Sequence, residues 1–269
     1  MPFDFDRYRA LRRSSSVGAE VVYRESVGST MDEARAGASA GMPAGTAYVA
    51  GEQTAGRGRE GRTWISAAEA GLYVTYHLIP SQPTDAPLLS IAGALALADA
   101  LDLTCKLRVD LKWPNDVLHD GRKLAGVLAE ARHNLGRADV FLGIGVNLTT
   151  SPALPSGVAM IATSIAEAGA TPPSREALVA ALSGTIERRA MQAQVDADTM
   201  IADWRSRLMT LGTRVRLHTP SGDVEGQAVD VSASGELVLR LDGGGEQSFA
   251  AGDAITTRDL SSLDIPTQG

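Results

Sequence analysis

Strand-like runs follow one another along residues 46–52, 72–79, 107–113, 123–130 and 140–148, with one helical stretch, 88–103, among them. That succession is the strongest constraint on the fold. Strict alternation of strand and helix would build a doubly wound parallel sheet, and clustered strands count against it. A turn at Asp120–Gly121 lies between the third and fourth runs. The pattern predicts a mixed α+β unit.

A short helix and a Ser-Ser-Ser break occupy the first twenty residues, ahead of a strand at 20–24. Thr30 and Glu33 stand at capping-box spacing, which predicts a helix starting there. Residues 159–209 carry a helical pattern with a break at 171–173. After Leu211 the texture changes to GTRVRLH, DVEGQAVDV, GELVLRL and EQSFAA, separated by PSGD, SASG and DGGG turns. Four to five short strands with tight turns predict a small barrel or sandwich. The expected organisation is a large unit over 1–211, a small all-β unit over 212–261 and a frayed tail over 262–269.

Composition narrows the function. A net charge of −7 works against general affinity for nucleic acid. The single cysteine, Cys105, excludes an internal disulfide and a thiolate metal cluster, and is read as a packed small hydrophobe. The opening MPFDFDRYRALRR lacks the apolar run of a signal peptide. Residues 88–103, interrupted by Asp99 and Asp102, fall short of the roughly 20 residues a membrane span needs. No P-loop and no GxGxxG fingerprint opens a helix. The expectation is a cytoplasmic protein without a membrane or nucleic-acid partner.

Four segments are candidates for chemistry. GEQTAGRGREGRTW, residues 51–64, is a glycine-rich segment whose Arg57, Arg59 and Arg62 and backbone amides suit an anion, and which as a bare pattern reads equally well as a solvated loop. Trp64 at its end is either core or a stacking surface for a planar ring. In LKWPNDVLHDGRKLAGVLAE, residues 111–130, Lys112 and Lys123 bracket a turn holding Asn115 and Asp116, and Gly126 allows a backbone or ligand to come close. In FLGIGVNLT, residues 141–149, Gly143 and Gly145 suit close packing and Asn147 ends the run with an amide. Ser29 and Thr30 cap a helix by default, and with Gln53 they can also hydrogen-bond a small polar ligand.

Taken in order, GEQTAGRGREGRTW, KWPND (112–116), KLAG (123–126) and GIGVN (143–147) resemble the biotin–protein ligase family, the biotin–[acetyl-CoA-carboxylase] ligases, over roughly residues 22–148. The resemblance implies a mixed, largely antiparallel sheet with flanking helices, the biotin–lipoate ligase catalytic fold similar to class II aminoacyl-tRNA synthetases. It also implies a small C-terminal Src-homology-like β-barrel. The implied activity is adenylation of biotin by ATP with Mg²⁺, then transfer to a lysine of a biotin carboxyl carrier protein, by a monomer or homodimer. Lys123, Arg57, Arg59, Lys112 and Asp116 correspond to catalytic positions. Ser29, Thr30, Met31, Gln53, Gly56, Arg57, Gly58, Arg59, Lys123, Gly126, Gly143 and Gly145 correspond to biotin-binding positions. Arg59, Arg62, Trp64, Lys112, Asn115, Lys123 and Asn147 correspond to positions that hold ATP or the adenylate. No protein side chain is assigned to the metal.

Two residues depart from the family pattern: Met31 stands where Ser-Thr-Asn is common, and Glu60 where relatives carry a basic or polar residue. About twenty residues precede the first predicted strand, too few for the winged helix-turn-helix of the repressor members, so a monofunctional ligase is expected. The alternatives are a lipoate or octanoyl ligase or transferase of the same fold, which lacks the arginine loop followed by an aromatic, and a non-catalytic biotin sensor, which needs neither Lys123 nor those arginines.

Overall fold

The computed structural model describes residues 2–82, 86–134, 136–152, 161–219 and 222–256. A seven-stranded sheet forms its centre, in the order β1-β2-β3-β7-β6-β5-β4. The strands are β1 (Val21–Val27), β2 (Ala47–Gln53), β3 (Gly71–Leu78), β4 (Asp110–Lys112), β5 (Asp116–His119), β6 (Arg122–Asn134) and β7 (Arg137–Asn147). Only β1 and β2 run parallel; the other five pairings are antiparallel, as the succession of strands predicts. The β5–β6 turn is two residues long, with Asp120 and Gly121 both at positive φ, the conformation that suits a tight hairpin.

Alternation along β3, β6 and β7 separates two faces. Leu72, Val74, Tyr76, Val127, Val140, Leu142, Ile144 and Val146 point into one core with helix α3 (Leu88–Cys105) and helix α4 (Arg175–Val195). Helix α3 is long and apolar enough to cross a membrane, yet most of it is buried within this core. On the other face lie Thr75, His77, Phe141, Gly143, Gly145, Gly126 and Leu128, with helix α2 (Thr30–Ser39) packed over part of it. Helix α1 (Phe5–Leu11) packs on α4, where Tyr8 meets Ser183.

Three local expectations are corrected. The cap of α2 is Ser29, whose hydroxyl accepts from the Met31 amide; Thr30 is the first helical residue and directs its hydroxyl elsewhere. Within 159–209, the described residues before the break form no helix. Ile161 and Thr163 instead pair through their backbones with Lys123, and Ile165 with Asn147. Helices occupy only α4 and α5 (Ala197–Arg207), joined at Asp196, which ends one and caps the next. Asp116 belongs to β5 rather than to the preceding turn.

The C-terminal part is an open five-stranded antiparallel sheet and not a closed barrel. Its strands are β8 (Arg214–Thr219), β9 (Gly222–Val231), β10 (Leu237–Leu241), β11 (Glu246–Phe249) and β12 (Asp253–Thr256), in the order β11-β10-β9-β8-β12. The two edge strands are separated by the other three. A barrel buries its apolar face on itself. Here Val215, Leu217, Ala228, Val231, Leu237, Leu239 and Ala254 join the same core as Ile91 and Trp204 of α3 and α5. The Trp113 indole donates to Gly235 O at 3.0 Å and Arg205 donates to Val231 O at 3.0 Å, fixing that sheet to the large unit. The expected frayed tail lies outside the described residues.

Glu187 on α4 anchors the Ser-Ser-Ser break. Its carboxylate accepts from the amides of Ser15, Ser16 and Val17 and from both serine hydroxyls, at 2.6–3.2 Å. Burial alone would raise its pKa; these donors outweigh it and hold the group at about 2, against an ordinary 4.5. A depressed carboxylate pKa stabilises the fold above pH 4.5, and the contribution is lost as pH falls toward 2. Glu187→Gln should therefore cost about 1–2 kcal/mol at neutral pH, after solvent screening. In thermal melts, the gap to wild type should close as the buffer is taken from pH 5 to pH 2 (roughly the titration range); a gap that persists at the acid end contradicts the assignment.

Candidate functional site

Antiparallel pairing of β6 and β7 sets Gly126 opposite Gly145 on the face away from the main core. Two glycines side by side leave that patch of sheet without side chains, and the Trp64 indole lies on it. A β-carbon on Gly145 would come within 2.4–2.8 Å of the ring, and one on Gly126 within 3.1 Å. One register step along, a β-carbon on Gly143 would meet Met31 Cε at 3.0 Å. Met31 thus closes this floor from the α2 side with a buried apolar methyl.

Lys123, near the start of β6, reaches over the same ring. Its Nζ is 5.6 Å from the Trp64 centroid and 2.6 Å from Asp116 Oδ1. The lysine backbone is strapped on both sides, its amide donating to Ile161 O and its carbonyl accepting from the Thr163 amide. Lys112 is buried nearby in sequence, on β4. The two asparagines turn to backbone: Asn115 Nδ2 donates to Val127 O at 2.7 Å, and Asn147 Nδ2 to Thr163 O at 2.8 Å. Each holds the end of a site strand in place.

A polar cluster stands at the first turn of α2. Gln53 Oε1 accepts from the Thr30 amide and hydroxyl at 2.8 and 3.0 Å, and Gln53 Nε2 donates to Ser66 Oγ at 2.9 Å. The Thr30 hydroxyl also lies 2.9 Å from Thr75 Oγ1. Thr30 and Gln53 were expected here from sequence. Ser66 and Thr75 were not, because a lone serine or threonine in a β-rich stretch carries no distinguishing pattern.

The glycine-arginine segment is a small hairpin. Trp64 N donates to Gly56 O, Gly58 N to Arg62 O, and a bridge joins Arg57 to Thr63. Its tip is a single 3-10 turn, Arg59–Gly61, in which Glu60 takes positive φ and lies 3.8 Å from Arg62. Gly56 admits no side chain, since a β-carbon there would lie 2.4 Å from Trp64 O. The three arginines diverge. Arg57 forms a two-pronged pair with Asp32 at 2.7 and 2.9 Å, and Arg59 donates to Gly252 O of the second sheet at 3.4 Å. The hydrogen bonds from Arg57 hold the Asp32 carboxyl below the ordinary carboxylate range.

Two buried N–H groups of this hairpin, Arg57 Nε and Trp64 Nε1, find no acceptor among the described residues. Each such group costs roughly 1–3 kcal/mol. The indole's seat on the glycine floor is therefore one that a better partner can draw it from. The site combines a planar aromatic, a lysine, a carboxylate and an apolar floor ending in a polar cluster. That set suits a ligand with a compact polar head, an apolar body and an anionic end.

Comparison with known proteins agrees with this chemistry. The profile of the Biotin/lipoate A/B protein ligase family matches residues 24–147, and that of the Biotin protein ligase C terminal domain matches residues 210–255. The chain is 35% identical over 255 residues to the biotin–[acetyl-CoA-carboxylase] ligase of Mycobacterium tuberculosis, covering 91% of this chain and 87% of that relative. It is 30% identical over 243 residues to the bifunctional ligase/repressor BirA of Bacillus subtilis, covering 89% and 75%. Among solved structures, the biotin protein ligase of Aquifex aeolicus in complex with biotin and ATP superposes with a TM-score of 0.72 at 25% identity, covering 88% of this chain and 98% of that one.

The glycine floor makes a direct prediction. Gly145→Ala should push the indole off β7, at an overpacking cost of about 1–3 kcal/mol. With Trp64→Phe as the reference for its contribution, Trp64 emission should move toward that of a solvated indole. Emission identical to wild type would mean that the ring does not rest on Gly145.

Proposed function

The chain belongs to the biotin–protein ligase family, and from that premise we propose that it joins biotin to a lysine of a biotin carboxyl carrier protein in two steps. In the first, a carboxylate oxygen of biotin attacks the α-phosphorus of ATP and pyrophosphate leaves. In the second, the carrier amine attacks the acyl carbon, loses its proton, and AMP leaves. The observation that carries the reading is Lys123 Nζ, poised over Trp64 and beside the Gly126–Gly145 floor.

Both reactants of the first step are anions, so fixed positive charge must meet them as the transition state forms. Lys123 supplies it, exchanging Asp116 for the incoming carboxylate and phosphoryl oxygens. Biotin's bicyclic head takes the space by Met31 and Gly143, with its ureido group at the Thr30, Gln53, Ser66 and Thr75 cluster. Its chain runs over the glycines once Trp64 has moved aside. Trp64 and the strand-end Asn147 flank the adenine, and Arg57, Arg59 and Lys112 serve carboxylate and phosphate. Asp116, released from Lys123, orients the carrier amine.

Magnesium arrives as its ATP complex. The ion favours phosphate oxygens and water with one or two carboxylates, and Asp116 is the carboxylate this site offers. Among the described residues no cluster of three or more metal-ligating side chains exists to hold it alone. The carrier in this reading is a biotin carboxyl carrier protein or the corresponding domain of a biotin-dependent carboxylase, and the compartment we propose is the cytoplasm.

The test is biotin-dependent exchange of labelled pyrophosphate into ATP. Wild-type protein should support it with biotin and not with lipoate; exchange with lipoate alone would favour a lipoate ligase of the same fold, since an acyl transferase uses no ATP. Lys123→Ala should slow exchange by about 10²–10³-fold, the loss typical of one transition-state donor, with its melting temperature little changed. Near-normal exchange in that variant would remove Lys123 from the mechanism.

A further inference from the structure

Asp32 belongs to none of the motifs above, yet it ties Arg57 of the glycine-arginine hairpin to helix α2. The hairpin's backbone bridges, Arg57 to Thr63 and Gln53 to Ser66, close it on itself and on its own base. Arg59 reaches away from α2, to Gly252 of the second sheet. At the hairpin's base Gln53 meets Thr30, and nearer its tip Arg57 spans to α2 with both terminal nitrogens on the two oxygens of Asp32.

The carboxylate is well placed for that grip. Asp32 is the third residue of α2, where the helix's exposed N–H groups favour negative charge. Arg35 Nη1 stands 3.4 Å from it on the other side, and Arg35 is itself paired with Glu130 of β6. The same turn of α2 carries Thr30, which holds Gln53, and Met31, which faces Gly143. The clasp therefore fastens the hairpin to the turn that lines the polar head of the pocket. A fork-to-fork pair also fixes direction, which a lysine in place of Arg57 would not do.

We propose that Asp32 is a positioning residue for the ligase reaction: by clasping Arg57 it holds the hairpin against α2 and slows escape of the biotinyl adenylate before the carrier arrives. The inference rests on the reading of the hairpin as the cover of that intermediate. Asp32 touches neither substrate nor phosphate in this scheme and acts through Arg57. Nothing in it alters the chemistry of adenylation.

The test follows the intermediate directly. Protein is loaded with labelled biotin and ATP, chased with excess unlabelled biotin, and bound label is followed by rapid filtration. Asp32→Asn should release label about three- to tenfold faster, the range for losing a partly exposed two-pronged ion pair. Pyrophosphate exchange at saturating biotin should stay within about twofold, and the melting temperature within about 2 °C, as for a surface change. Asp32→Glu should restore much of the slow release. Glu33→Ala, which alters the same turn of α2 and removes only its pair with Arg24, should leave release as in wild type. Arg57→Lys should speed release as Asp32→Asn does, and the double variant should be no faster than either single one. Wild-type release in Asp32→Asn, an equal acceleration in Glu33→Ala, or additive effects in the double variant would overturn the proposal. Exchange activity reports separately on the ligase reading, so the two fail independently.

Discussion

The pairing of β6 with β7 is the constraint on which the rest of the site depends. Side chains alternate across a sheet, so the register that buries Val127, Ile144 and Val146 against α3 also brings Gly126 and Gly145 together on the opposite face. A slip of one residue would turn those apolar side chains outward and the glycines into the core. The core thus holds the floor of the pocket in register without touching it. Three pieces then close on that floor: α2 with Met31, the hairpin with Trp64, and the strap of residues 161–165 that grips Lys123 and Asn147.

Charge is arranged in the same economical way. Lys123 lies against Asp116, and Arg57 against Asp32. Each cation is held in position by a carboxylate; an incoming anion competes with Asp116 for Lys123, while Asp32 keeps Arg57 fastened to α2. Trp64 covers the glycines with its N–H unsatisfied. A ligand that offers the lysine a phosphoryl oxygen and the indole a new neighbour improves both at once.

Much of this was legible in the sequence because it is local. The strand succession, the Asp120–Gly121 hairpin and the four motifs each sit within a few residues of one another. Some of their residues come together in space: Thr30 and Gln53 meet, and Lys123 stands over Trp64. What stayed hidden depends on contacts between distant segments. Asp32 looks like an ordinary first-turn acid until Arg57, 25 positions on, lands on it. Ser66 and Thr75 look like strand polar residues. The strap at 161–165 reads as helix because its apolar and small residues fit that period, while its backbone is committed to Lys123 and Asn147. The second sheet suggested a barrel, since strand spacing alone does not say whether an apolar face closes on itself or on α3 and α5.

A crystal structure with biotinyl-5′-AMP would test the central claim most directly, that the glycine floor beneath Trp64 is the seat of the acyl-adenylate. The account predicts the acyl-phosphate within hydrogen-bonding distance of Lys123 Nζ, the ureido group at Thr30 and Gln53, and the Trp64 ring lifted from Gly145. An adenylate bound elsewhere, or bound with the indole still resting on Gly126 and Gly145, would contradict it.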